Sequence, residues 1–330
     1  MKNSITPIYI LSGFLGSGKT SLLTRLIPYW QQQGLKPAVV MNEIGEVNID
    51  SVAAGHAVPT AEMLSGCICC SIRADLAGEL GLLIRNEKPD VIILEATGAA
   101  NPMEILDGLA EAALYMNIEV KQMITVVDSA HLLYLHRQQR AKTYRLMQEQ
   151  IRCANKLILN KTDRLNNNEQ QEAGDIVAKW NPLATMVPAV RCEVDLDVLL
   201  TGAHAIQGNT CSGKSEAEHS SCGSSNDHDH GGTHHTHHHV MSYTHHLQGP
   251  VDSVHFEHLI RDLPRDIYRA KGIVSFRDTA SRFLFQYAFR ETDYTKLAPQ
   301  AGLQDVLVFI GEQFDRDDLQ ARLEKLAVPD

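Results

Sequence analysis

Gly13-Phe14-Leu15-Gly16-Ser17-Gly18-Lys19-Thr20 decides the fold. The stretch meets G-x-x-x-x-G-K-[ST] at each fixed position, directly after the apolar run 7–12 and ahead of a helical pattern over 19–33. Glycines in such a loop let backbone N–H groups turn inward to cradle phosphates, and the dipole of the following helix favours the same negative charge. Lys19, expected to stand partly exposed at the loop, is placed to reach β- and γ-phosphates, and the Thr20 hydroxyl to ligate Mg2+. Gly13, Gly16, Ser17, Gly18 and Ser21 complete the expected cradle.

Outward from the loop, short apolar runs at 37–41, 91–95, 123–128, 156–160 and 185–190 alternate with amphipathic stretches at 72–86, 102–115 and 168–180. The runs lack strict polar alternation, which suits strands buried on both faces of a sheet. The pattern predicts a doubly wound, mostly parallel α/β domain over 1–207. Composition then shifts to Ser, Gly, Asn, Asp and His over 208–249, a segment too poor in apolar residues to offset its ordering entropy, so a disordered linker is expected. Patterning resumes over 250–330, where strands at 254–257, 272–277, 282–288 and 305–310 with helices at 258–269 and 316–326 predict a small α+β domain.

Asn160-Lys161-Thr162-Asp163 closes the run 156–160. A carboxylate at Asp163 accepts from N1–H and the exocyclic N2 amine of guanine, a donor pair that adenine lacks. GTP is therefore the expected nucleotide, with its base at Asn160, Lys161 and Asp163. The run Val91-Ile92-Ile93-Leu94 ends in Glu95, followed by Ala96-Thr97-Gly98. An acid there engages Mg2+ or polarises the attacking water, and Gly98 leaves room for backbone beside a γ-phosphate. Lys19 and Glu95 are the expected catalytic residues for conversion of GTP to GDP and phosphate.

The bulk numbers narrow the partners. Across 330 residues, 44% are hydrophobic and 21% charged, an ordinary globular balance, and the net charge of −10 disfavours a nucleic-acid partner. No apolar run is long enough to span a bilayer, and no small-residue cleavage site follows the first apolar stretch, so a cytoplasmic location is expected. The seven cysteines are an odd number, and crowding of three of them points to metal or redox chemistry over a disulfide framework.

Those three lie in Gly66-Cys67-Ile68-Cys69-Cys70, where thiolates can converge on one soft cation. Zinc takes four ligands, so Cys67, Cys69 and Cys70 leave one position open, as a carrier that must release its metal requires. Glu43 and Asp50, within 42–50, can complete the zinc shell, the Mg2+ shell, or each in turn. Ten of the sixteen histidines fall between His219 and His246, and His234, His235, His237, His238 and His239 form weak auxiliary metal sites in this reading.

Taken together, GFLGSGKT (13–20), NEIGEVNID (42–50), GCICC (66–70), ILEATG (93–98), VVD (126–128) and NKTD (160–163) resemble the CobW-type family of metallochaperone GTPases. NPLA (181–184) and RAKG (269–272) fit the resemblance too, and Ile44 stands where that family usually carries an aromatic residue. The resemblance implies a slow GTPase that binds a metal through the C-x-C-C thiols and delivers it to a client metalloprotein. It also implies a His-rich stretch ahead of a CobW-like C-terminal domain. Two other functions remain open at this point: a passive zinc buffer worked by the histidine tract, and a cobalt or iron insertion factor for cobalamin assembly or a nitrile-hydratase-like enzyme. The intact Lys19, Thr20, Glu95 and Asp163 favour a working GTPase.

Overall fold

The computed structural model describes residues 5–41, 58–62, 71–138, 141–200, 240–288, 290–298, 304–312 and 314–327. Its first sheet has seven strands, β1 (Thr6–Ser12), β2 (Pro37–Met41), β3 (Thr60–Glu62), β4 (Val91–Glu95), β5 (Ile118–Asp128), β6 (Lys156–Asn160) and β7 (Thr185–Pro188), in the order β3-β2-β4-β1-β5-β6-β7. Every pairing in it is parallel. Ile8, Ile10 and Leu11 of β1 are fully buried, which explains why the run shows no polar alternation.

The order reverses at β1, whose neighbours are β4 and β5. Ligands of open α/β sheets bind at such a switch point, outside the carboxyl ends of the strands. Register brings the expected site residues to that edge. Leu11 is paired with Glu95, Ser12 with Thr125, and Asp128 with Asn160.

Helices cover both faces. α1 (Lys19–Gln32) buries Leu22, Leu23, Leu26, Ile27 and Trp30, one stripe at helical spacing. α2 (Ser71–Glu87) and α3 (Pro102–Ala112) pack on the other face; Asn101 caps α3 by accepting from the Met103 N–H, and Pro102 opens it. Two helices that the alternation of runs does not announce, α4 (Ser129–Gln138) and α5 (Ala141–Arg152), lie between β5 and β6. They share a core with α6 (Asn167–Trp180), built on Leu132, Met147, Ile151 and Ile176. The fully buried Asn181 ends α5, its amide donating to the carbonyls of Ile151, Arg152 and Ala154 at 2.8, 3.1 and 3.0 Å. The short α7 (Leu196–Leu200) completes this half.

The second sheet is antiparallel, β8 (Val240–His246), β9 (Ile267–Ser275), β10 (Arg282–Ala288), β11 (Glu291–Lys296) and β12 (Val306–Glu312) in the order β11-β10-β9-β12-β8. α8 (Ser253–Arg261) and α9 (Arg316–Ala327) bury Phe256, Leu259, Leu319 and Leu323 against one of its faces. The opposite face presents Tyr268, Ile273, Val306, Val308 and Ile310 to the core that holds α3 and Cys153. Polar links join the halves as well: Arg269 with the buried Asp107, Lys271 with Glu111 at 3.2 Å, and the Asn155 amide with the Val240 carbonyl at 3.4 Å.

Three expectations fail in this half. The stretch 254–257 is helical, not a strand, because Asp252 caps it through the His255 N–H and Phe256, Leu259 and Ile260 recur at helical spacing. The helix expected over 258–269 stops at Arg261, two residues before Leu263-Pro264, and Arg269 belongs to β9. Val240–His246, inside the stretch expected to be linker, is strand β8 paired along its length with β12. Among the described residues, no helix is long and apolar enough to cross a membrane.

Candidate nucleotide site

The loop between β1 and α1 turns through Gly18 at a φ of 117°, a conformation that side chains rarely tolerate. A Cβ there would lie 2.5 Å from the Asn160 amide nitrogen, so glycine is needed for close approach too. Lys19 is buried at 7% exposure, in place of the part-exposed position expected for it. Its ammonium turns back over the loop, donating to the Gly13 carbonyl at 2.9 Å and the Phe14 carbonyl at 3.4 Å. The buried Ser17 hydroxyl has no partner among the described residues, an orphan donor inside the cradle. Thr20 Oγ1 donates to Glu95 Oε1 at 2.9 Å, so two of the expected Mg2+ groups meet. A hydroxyl and a carboxylate side by side are a donor set that suits a hard cation keeping several of its waters.

Asn160 does not face outward. Its amide donates to the Ser17 carbonyl at 2.8 Å, and its oxygen accepts from the Cys192 N–H at 2.9 Å. It staples the phosphate loop to the segment after β7. Lys161, held left-handed at a φ of 60°, lays its side chain across the loop, with Nζ 2.7 Å from the Gly16 carbonyl and 2.6 Å from Asp128 Oδ2. Asp163 follows on an exposed 3-10 turn, Thr162–Arg164, anchored by the Thr162 N–H on the Ala189 carbonyl at 3.2 Å. Asp128 does double duty, also accepting from the His131 N–H at 3.1 Å at the start of α4.

Gly98 touches the loop from the far side. A Cβ at Gly98 would lie 2.4 Å from the Leu15 backbone nitrogen, so the chain after Glu95 rests directly on the phosphate loop. Behind it, the buried Gln150 of α5 donates to the carbonyls of Gly98 at 3.2 Å and Ala100 at 3.3 Å.

Nucleotide-binding geometry of this kind agrees with the family comparison. The model of the CobW/HypB/UreG nucleotide-binding domain matches residues 7–188, and that of the cobalamin synthesis protein cobW C-terminal domain matches 240–327. The chain belongs to the CobW/HypB/UreG family. A relative from Dictyostelium discoideum, zinc-regulated GTPase metalloprotein activator 1, is 30% identical over 59% of this chain and 48% of its own. The zinc chaperone YjiA of Escherichia coli is 27% identical over 95% of this chain and 96% of its own. A crystal structure of Zn(II)-bound YjiA GTPase from E. coli aligns over 98% of this chain and 99% of its own, at 22% identity and a TM-score of 0.47.

The residues expected to bind the soft metal, Cys67, Cys69 and Cys70, lie outside the described residues, as do Glu43, Asp50, His234, His235, His237, His238 and His239. Two other cysteines are placed. Burial, reinforced by the charges of Glu149 and Glu312, pushes the Cys153 thiol up to about 12. Burial likewise pushes the Cys192 thiol up to about 11, against the opposing pull of Arg25 and Lys161. Cys192 Sγ donates to the Gly18 carbonyl at 3.3 Å, so it is a packing residue of the phosphate loop. The thiolate is the reactive form, and at pH 8 both groups stay protonated. Iodoacetamide is expected to leave Cys153 and Cys192 unmodified in the native protein and to label both after denaturation, as read by peptide mass spectrometry. Native labelling at the rate of a free thiol would contradict this placement.

Three contributors escape a reading of motifs alone: Cys192, the Ala189 carbonyl, and Gln150. Asp128 carries the faint signal of an acid at the end of a strand next to the one that ends in Asn160.

Proposed function

We propose that this chain is a GTP-hydrolysing metallochaperone of the cytoplasm, which binds Zn2+ through Cys67, Cys69 and Cys70 and passes it to a client metalloprotein. The observation that carries the reading is the joining of Thr20, Glu95 and Gly98 at one edge of the phosphate loop, in a chain that also holds C-x-C-C. The names of the relatives point to zinc as the cargo.

In this reading the inward N–H groups of the loop and the Lys19 ammonium hold the β- and γ-phosphates and take up negative charge as the γ-phosphoryl group leaves. Thr20 and Glu95 would hold Mg2+, which would neutralise negative charge on the β- and γ-phosphates. Gly98 places its backbone beside the γ-phosphate, and Asp163 reads the guanine edge. The stem of Lys161 forms a floor for the base, fixed by Asp128 at one end. Three thiolates bind Zn2+ as cargo, with Glu43 or an exchangeable donor in the fourth position. The histidines at 234–239 act as a low-affinity collecting tract.

The segments 42–50 and 66–70 both lie between β2 and β4, the strand that ends in Glu95. In this reading the γ-phosphate is coupled to the thiols through Glu43, Asp50 and Glu95. Zinc is expected to bind about 5- to 150-fold more tightly with Mg2+ and a non-hydrolysable GTP analogue than with GDP, and linkage requires zinc to tighten the analogue by the same factor. Chelator competition with each nucleotide, on the native chain and on Cys67→Ala, Cys69→Ala and Cys70→Ala, measures it. Equal zinc affinity in the two states would leave a buffer in place of a timed carrier.

A further inference from the structure

We propose that Gln150 is the positioning residue that holds the γ-phosphate-sensing backbone at Gly98, and that hydrolysis depends on it although it touches no nucleotide. The inference rests on the reading of Gly98 as the segment beside the γ-phosphate.

Gln150 lies in the last turn of α5 and is 1% exposed. Its Nε2 donates to two carbonyls of one loop, Gly98 at 3.2 Å and Ala100 at 3.3 Å. Those carbonyls belong to the turn that joins Glu95 to the cap of α3 at Asn101. The plane of the Gly98 carbonyl carries the Ala99 N–H, which donates to Thr97 Oγ1 at 3.2 Å, so the amide and that hydroxyl together hold the turn that follows Gly98. From the opposite side the same turn is pressed against Leu15, where not even a methyl group fits at Gly98. The turn is therefore clamped between the phosphate loop and one amide.

The clamp itself is anchored. The Gln150 carbonyl accepts from the buried Thr125 hydroxyl at 2.9 Å, and Asn181 holds the following carbonyls of the same helix end. Gln150 Oε1 is buried with no partner among the described residues. Burying an amide at this point makes sense if its two donors are needed where they point. The same helix end leads to Cys153 and Asn155, which pack on and bond to the C-terminal half. The grip on Gly98 thus stands on the seam between the two halves of the chain.

The test is Gln150→Met, which keeps length and volume but removes both donors and the orphan acceptor. Expected are a fall in kcat for GTP of about 10- to 100-fold and a loss of about 5- to 20-fold in affinity for a non-hydrolysable GTP analogue, with GDP affinity within about 2-fold of native. A purely structural role would weaken GDP and the analogue alike, so the split between them is the deciding readout. Should Gln150→Met not fold, Gln150→Asn, which keeps the amide but withdraws it by one methylene, is expected to show the same split. Gly98→Ala separates this inference from the reading beneath it. If Gly98→Ala leaves GTP turnover intact, the γ-phosphate segment lies elsewhere and both fall. If Gly98→Ala abolishes turnover while a folded Gln150 variant keeps native kcat and native analogue affinity, only the role of Gln150 is overturned.

Discussion

Lys19→Ala is expected to lower kcat/KM for GTP on the order of 10^3-fold while leaving the fold intact. In the described phosphate loop Lys19 is the charged donor, and a fixed charge in a partly dry site is worth several powers of ten toward a developing phosphate charge. Its burial raises the question of stability. The ammonium bonds two loop carbonyls, Gly13 and Phe14, and alanine removes that contact. Losing these two hydrogen bonds, at about 1 kcal/mol each, lowers the Tm by roughly 4–8 °C in a domain of this size. Activity and stability should therefore separate cleanly. Single-turnover hydrolysis and thermal melts of the same sample check this. A folded Lys19→Ala that turns over GTP at the native rate would mean the chemistry lies elsewhere.

The parts of this site that were legible in the sequence are those whose chemistry is local. The phosphate loop is read from one contiguous stretch because strand, glycines and helix must follow one another for the backbone to wrap an anion. Strands β2, β4 and β6 were legible because burial on both faces removes polar residues from short runs, and their bounds agree with the sequence expectation. The helix α8 was misread because four residues, Val254-His255-Phe256-Glu257, mimic strand alternation until the next turn is added. Asn160 was placed at the site, but its work as a staple between Ser17 and Cys192 belongs to tertiary geometry. Gln150 acts on a loop 52 residues earlier in the chain, and no local pattern signals such a contact.

Base selectivity gives the second large effect. Asp163→Asn is expected to weaken GTP binding by about 10^2- to 10^3-fold and to raise affinity for XTP, so that the preference between the two inverts. A carboxylate accepts from both guanine donors at once, N1–H and the N2 amine. Asparagine offers one acceptor and one donor, and its amide faces the N2 amine donor to donor. Xanthine carries a carbonyl at that position, which pairs with the asparagine amide while its N1–H still finds the oxygen. Sites that read a substrate group by a buried hydrogen bond discriminate strongly for this reason, because the wrong partner leaves a polar group unpaired. The fold has little stake in the change. Asp163 is exposed on its 3-10 turn, and that turn is anchored by Thr162 on the Ala189 carbonyl. Competition titrations of GTP, XTP and ATP against a fluorescent nucleotide, on native and variant protein, measure the inversion. Native protein should hold ATP far more weakly than GTP, and the variant should not gain ATP, since adenine has no N1–H to offer the new oxygen. If Asp163→Asn kept its preference for GTP over XTP, the guanine edge would be read by other groups, and the left-handed Lys161 that presents Asp163 would have no functional reason to hold that backbone.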